Sequence, residues 1–292
     1  MEQFDRAAED LGNSVALEHL NTTAPDQLLV TKFYVVALGL TRDPYMNTGL
    51  GNIWINIGRS QIHLPRRKPQ VMRGHTGIVM PDRDALLRRL HAAKEGLAGT
   101  LYAWTEADDY VEVLSPWGNR IRIHQPDRQR FGPVMLGMPY LHFDVPVGAA
   151  AGIGRFYAEC IKAAVTLSSK EGLACANVKV GVNQFLHFQE TDRPLPDYDG
   201  HHIQIYIVDF SGPHQWLLSR GLVTQESNQY QYRFQDIVDP ESGKVVYTLE
   251  HEVRSITNPL YARPLVNRNP LQNLQNYHAG HDAMVWEMPQ DY

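Results

Sequence analysis

Four histidines stand near the head of short strand-like segments: His19 in VALEHLNTTAPD, His75 in RGHTGIVMPD, His142 in MPYLHFDVP and His202 in HHIQIYIVDF. Neutral imidazoles bind divalent transition metals. Two of them with one carboxylate form a facial set that leaves coordination positions open. The carboxylate is offered in VVYTLEHEVRS, where Thr248, Glu250, Glu252 and Arg254 fall on one face of a strand. A glutamate turned into a cavity is costly unless it is paired or bound to a metal. In HHIQIYIV, His202, Gln204 and Tyr206 share one face while Ile203, Ile205 and Ile207 share the other. The polar face should line a cavity and the apolar face should pack on helices.

The elements that position these residues recur along the chain. After His19 comes a Pro-Asp turn, a helical stretch QLLVTKFYVVALGL, and the strand-like NIWINIG and SQIHLP. Phe33-Tyr34 follows His19 by fourteen residues, as Phe156-Tyr157 follows His142. Gly181, Gln184 and His187 stand where the first half has Gly58, Gln61 and His63. One extra residue in the second copy predicts a bulge or slip. Two looser copies begin at His75 and His202. Asp82 and Asp209 follow them by seven residues, the spacing of His19 to Asp26. Each leads through a helical stretch into a hairpin, DDYVEVLSPWGNRIRIH or YQYRFQDIVDPESGKVVYTLEHEVRS, with turn chemistry at its tip. Four modules therefore pair as two domains, residues 13–127 and 137–256. The polar, Gly/Pro-containing PDRQRFGPVMLG joins them, and an irregular tail follows at 257–292.

Composition suits this plan. A chain of 292 residues with 43% hydrophobic and 20% charged residues can bury a sizeable core and is not of the disordered class. A formal net charge of -5 and no long basic run argue against nucleic acid as a partner, and Arg66-Arg67-Lys68 reads as a solvated turn. Two cysteines, Cys160 and Cys175, are too few for a disulfide framework and fit a reducing compartment. MEQFDRAAEDLG carries no apolar signal core, and no run of about 18 apolar residues occurs. The expectation is a cytoplasmic protein with no membrane partner.

The order of His-to-Asp strands, the helix with Phe33, Tyr34, Leu38, Gly39 and Leu40, and the SPWGNRIRIH hairpin resembles the vicinal-oxygen-chelate superfamily of glyoxalases, bleomycin-resistance proteins and extradiol dioxygenases. The resemblance covers residues 13–256. It implies an α+β fold in which paired βαβββ modules form two half-barrel domains. It also implies metal ligands on the first strand of each module and a Glu on the last. The ligands expected from it are His142, His202 and Glu252, with Glu250 as the alternate carboxylate. His201 is a less favoured substitute for His202. The expected metal is Fe(II), with Mn(II) or Zn(II) as alternatives.

In the first half the pattern calls for a carboxylate near Arg122, which cannot ligate a metal and would repel one. That half is expected to carry a degenerate site, although His124 could complete a three-histidine set with His19 and His75. Among the superfamily, the layout of four modules in this length resembles the two-domain extradiol dioxygenases. That likeness gives His187 a proton-handling role and sets a tyrosine near the metal. Symmetric closure of the 239–243 turn puts Tyr230 opposite Glu252 and Tyr232 opposite Glu250. The last hairpin does not match the extradiol signature well. A ring-cleaving dioxygenase acting on a small substrate, such as an aromatic diol, is therefore the first reading. A glyoxalase-like lyase or isomerase and a metal-free binding or resistance protein are the alternatives. Homo-oligomers are compatible with all three.

Overall fold

The structure is a computed structural model, and it describes residues 6–43, 51–263 and 265. Most of the expected tail, residues 264 and 266–292, lies outside the described residues. Four βαβββ modules follow one another. The first holds β1 (Ser14–Asn21), β2 (Thr41–Arg42), β3 (Asn52–Ile57) and β4 (Ser60–Pro65). The second holds β5 (Gly74–Val79), β6 (Ala103–Glu106), β7 (Val111–Leu114) and β8 (Arg120–His124). In the third are β9 (Gly137–Pro146), β10 (Val165–Lys170), β11 (Leu173–Gly181) and β12 (Gln184–Thr191). The fourth comprises β13 (His202–Ile207), β14 (Val223–Asn228), β15 (Gln231–Val238) and β16 (Val245–Ser255). The sixteen strands form two 8-stranded mixed sheets, and the fold is α+β.

The repeated spacing from His to Asp has a local cause. Each Asp lies in the loop after the head strand and accepts backbone N–H groups at the start of the module's helix. Asp26 takes those of Leu28 (2.8 Å) and Leu29 (3.1 Å), Asp82 that of Ala85 (2.8 Å), and Asp209 that of Gly212 (3.0 Å). Such caps contribute about 1 kcal/mol each. The Phe-Tyr pairs also share a local form. In the first module an α-helix, Gln27–Val30, continues as a π-helix over Thr31–Ala37; in the third, Ala150–Phe156 continues as Tyr157–Ile161. Phe33, Tyr34, Phe156 and Tyr157 are all buried by these helices against the apolar faces of the sheets. The third module has a register shift between Lys179 and Gly181, ahead of the Gly181–His187 segment where the extra residue was expected.

The pairing of modules differs from the expected one. The two halves, 13–127 and 137–256, do not each build a sheet of their own. One sheet runs β14-β15-β16-β13-β1-β4-β3-β2, joining the fourth module to the first. The other runs β10-β11-β12-β9-β5-β8-β7-β6, joining the third to the second. In each, two head strands meet antiparallel at the centre, β1 with β13 and β5 with β9. The repeat defines the modules but not their partners, because every module presents the same kind of head strand. This decides which histidines can meet. The sheets are tied together by Gln184 at the start of β12, whose amide bonds the backbone N–H (2.9 Å) and carbonyl (2.9 Å) of Leu17 and the Ser60 hydroxyl (2.9 Å).

Candidate metal centre

His19 on β1, His202 on β13 and Glu252 on β16 come together in the first of these sheets. One ligand atom from each can be chosen so that all lie within 4.8 Å of one another, and all three residues are buried. The His202 Nε2 stands 3.8 Å from Glu252 Oε2. The parallel register of β13 and β16 sets Glu252 beside Gln204 and Glu250 beside His202. Glu250, the alternate carboxylate, lies 4.0 Å from His202 Nδ1.

His142, expected as the third ligand, is not there. It lies on β9 in the other sheet, with its ring stacked on His75 at 4.4 Å. His19, expected in a degenerate site, takes its place because the fourth module pairs with the first. His75 and His124 are likewise in the second sheet, so they form no three-histidine set with His19. His124 bonds the Tyr140 hydroxyl (2.9 Å) and the Asp109 carbonyl (3.0 Å). His201 is fully buried and bonds Asp199 through Nδ1 at 2.7 Å, away from the cluster.

His187 is also displaced from its expected role. It sits on β12 beside His142 in the strand register and bonds Asn177 at 2.8 Å. Its repeat counterpart, His63, is the imidazole at the centre. His63 is sandwiched between the rings of His19 (3.7 Å between centroids) and Trp54 (3.9 Å). The signal was in the Gly-Gln-His alignment of the two halves, and only the module pairing hid it. His63 is set in a defined tautomer. The Gln61 amide nitrogen donates to Asp43 (2.5 Å) and Asn56 (2.6 Å), so its oxygen is left to accept from His63 Nε2 (2.9 Å). Nδ1 is then the basic atom.

The last hairpin does not close symmetrically. Bulges between Phe234 and Asp236 and between Ile237 and Val238 slide the strands, so Arg233 rather than Tyr230 pairs with Glu252 and Tyr232 pairs with Val253. Tyr232 is buried in the apolar core. Tyr230 still lines the cavity over the cluster, beyond the paired part of the hairpin. The slip also brings in Arg233, a cation the sequence does not single out, beside Arg254 on the face of β16 that carries Glu250 and Glu252. Arg233 binds Glu250 (2.7 Å) and Glu252, while Arg254 binds Glu252 (2.5 Å) and Glu18 (2.9 Å).

These groups hold the protonation states a metal takes. Burial, then the neighbouring His19 and Arg233, pushes the His202 pKa well below its ordinary value, and burial with His19 and Arg254 does the same to His63. Burial alone would raise Glu252, but Arg254, His19 and Arg233 outweigh it and hold the carboxyl below the usual range. Two imidazoles, one of them held neutral, with an ionised carboxylate are a fitting donor set for a divalent ion. Metal–ligand bonds near 2.0–2.2 Å require the side chains to close in slightly. The Arg233 guanidinium on Glu252 is the group that must yield.

The cavity above the cluster measures about 600 Å³ and is lined by His19, His63, His202 and Glu252 among others. A larger cleft of about 790 Å³ opens where the linker at 133–139 meets the Gly58 turn, but it contains none of these imidazoles. In the second sheet the register puts Arg122 beside Gly77, two residues after His75. Arg122 thus occupies the place that Glu252 has beside Gln204, two residues after His202. It bonds Glu112 at 2.8 Å. Among the described residues, His19, His202 and Glu252 are the only group of three or more with metal-binding geometry.

No family model matches the sequence, and no curated protein does. Solved structures do match over most of the chain. A Bacillus subtilis protein described as a "putative dioxygenase" superposes with a TM-score of 0.54 at 15% identity, covering 84% of this chain and 86% of that one. Glyoxalase I from Zea mays gives a TM-score of 0.55 at 10% identity, covering 82% and 92%. The fold is that of the vicinal-oxygen-chelate proteins. At such identities the likeness is one of fold. In this chain the vicinal-oxygen-chelate fold also offers, in one of its two sheets, a His/His/Glu cluster able to hold a metal.

Proposed function

We propose that the chain is a metal-dependent enzyme that holds two neighbouring oxygens of a small substrate at His19, His202 and Glu252, and that it acts as a ring-cleaving dioxygenase. The observation that carries this is the buried two-histidine, one-carboxylate set beneath a cavity large enough for a small molecule. A divalent ion there, Fe(II) first and Mn(II) or Zn(II) otherwise, would supply a Lewis acid and a template.

The chain's own residues do the rest. His63 holds a free lone pair at Nδ1 beside the ligand His19, so it can take a proton from a substrate hydroxyl and return it. Burial, with His19, Arg254, His202 and Arg263 nearby, keeps it uncharged at rest. The Asp43–Gln61–His63 chain fixes which nitrogen is basic. Tyr230 stands at the cavity wall, where its hydroxyl can orient a substrate oxygen. A lyase or isomerase is the second reading. It is favoured by the location of His187, the residue first taken to mark oxygen chemistry, in the other sheet.

Anaerobic loading with iron, elemental analysis and oxygen uptake over a catechol panel test the proposal. One metal per chain and oxygen consumption are expected. Metal without oxygen uptake, together with isomerase or lyase activity under nitrogen, would leave the centre and remove the dioxygenase. No bound metal would remove both.

A further inference from the structure

The donors around the centre say something about the ligand it takes. Arg233 uses its two terminal nitrogens on Glu250 and Glu252, and its Nε is buried with no partner. Trp54 is 6% exposed, lines the same cavity, and its indole N–H also has no partner. Both orphaned atoms are donors that cannot accept, so only an acceptor satisfies them. Leaving them unpaired is unfavourable.

Charge points the same way. Glu18, Glu250 and Glu252 carry three negative charges, and Arg233 and Arg254 carry two positive ones. The cluster has one net negative charge, and a divalent ion turns this into one net positive charge. The ion also draws on the Glu252 oxygen that Arg233 holds. The guanidinium then keeps Glu250 and is left with an unfilled donor edge inside the cavity. A carboxylate fits such an edge bidentately.

We infer that the substrate carries a carboxylate beside its vicinal oxygens, and that Arg233, with the Trp54 N–H, is the group that selects it. This rests on the vicinal-oxygen reading of the centre. Arg233 has two opposed effects. It competes with the metal for Glu252 and it recruits the acidic ligand.

The test uses a matched pair, catechol and 3,4-dihydroxybenzoate, titrated calorimetrically into the full chain loaded with Mn(II). Wild type should bind the carboxylated diol roughly ten- to hundredfold more tightly than catechol. In Arg233→Gln the Mn(II) affinity should hold or rise while this preference falls to about one. Trp54→Phe, which keeps an aromatic ring on His63, should lower the preference without changing metal stoichiometry. A merely structural role for Arg233 would weaken metal and both diols together. Should Arg233→Gln not fold, Arg233→Lys keeps the charge without the fork and should retain only part of the preference. Equal binding of the two diols by wild type, a preference that survives in Arg233→Gln, or one that is undiminished in Arg233→Lys, overturns the inference and leaves the centre standing. Failure of wild type to bind Mn(II), or to bind either diol, overturns the vicinal-oxygen reading and the inference with it.

Discussion

Replacing Glu252 by Gln changes one charge and almost no volume, at the point where the ionic network and the proposed metal share an atom. Glu252 is 3% exposed, and its carboxylate lies between the guanidiniums of Arg233 and Arg254, the latter at 2.5 Å. Stranding a buried charge by removing its partner costs about 3–5 kcal/mol. Neither arginine is stranded here, because Arg233 keeps Glu250 at 2.7 Å and Arg254 keeps Glu18 at 2.9 Å. The expected loss without metal is therefore smaller, about 2–3 kcal/mol. For a chain of this length unfolding as one unit, this lowers Tm by roughly 4 °C. With metal the gap widens. At a hundredfold excess over Kd, an ion that binds only the folded chain adds about 2.7 kcal/mol to wild type and should add almost nothing to the variant. Thermal melts with and without Mn(II) give both numbers. A variant as stable as wild type without metal would refute the paired carboxylate. An undiminished metal-induced rise would refute Glu252 as a ligand.

Two further outcomes follow from where the histidines lie. His19→Ala should abolish metal binding while His142→Ala leaves the stoichiometry unchanged, as read by elemental analysis; the reverse result would restore the ligand set expected from the sequence. Burial, His142 and Arg130 depress the His187 pKa to about 4, below an unfolded value near 6.5. The unfolded chain therefore binds the extra proton between these values, so this contribution is complete above about pH 6.5 and disappears as pH falls towards 4. From pH 7.5 to 5 wild type should lose about 2 kcal/mol more than His187→Gln in urea unfolding. Parallel pH dependence of the two proteins would show that His187 is not held neutral by the fold.

Much of this architecture was legible because it is written in local chemistry. The seven-residue step from His to Asp is the length of a head strand plus the aspartate that caps the next helix, as Asp26, Asp82 and Asp209 show. Alternation in HHIQIYIV correctly separates the polar face of His202 and Gln204 from the isoleucines, all of which are buried. His202 and Glu252, singled out this way, stand together in the cluster. What could not be read were the long-range choices. Which module pairs with which depends on sheet contacts between segments far apart in the chain, and this exchanged His142 for His19 and His187 for His63. Register was lost for smaller reasons: the turn closes one residue off the assumed centre, with Val238 opposite Val245, and two single-residue bulges add two more, so Arg233, not Tyr230, stands opposite Glu252. Because side chains alternate along a strand, a slip of an odd number of residues exchanges every partner.

The two sheets show how one scaffold separates two electrostatic outcomes. Both have a pair of histidines on antiparallel head strands and a charged side chain on the neighbouring parallel strand, at matching register. In one that side chain is Glu252; in the other it is Arg122, tied to Glu112 and stacked over the Tyr110 ring at 4.8 Å. Burial, His142 and the Arg122 and Arg120 charges drive the His75 pKa far down, so His75 is held neutral beside arginines whose charge would repel a cation. Around Glu252 the arginines are each matched by a second carboxylate, which leaves the field negative enough to admit one. The centre is thus set less by the histidines, which both sheets possess, than by the sign of one residue and by the glutamates Glu18 and Glu250 that keep its arginine neighbours occupied. An Arg122→Glu exchange would therefore not suffice to create a second centre, because Arg120 and the Glu112-bound geometry would remain.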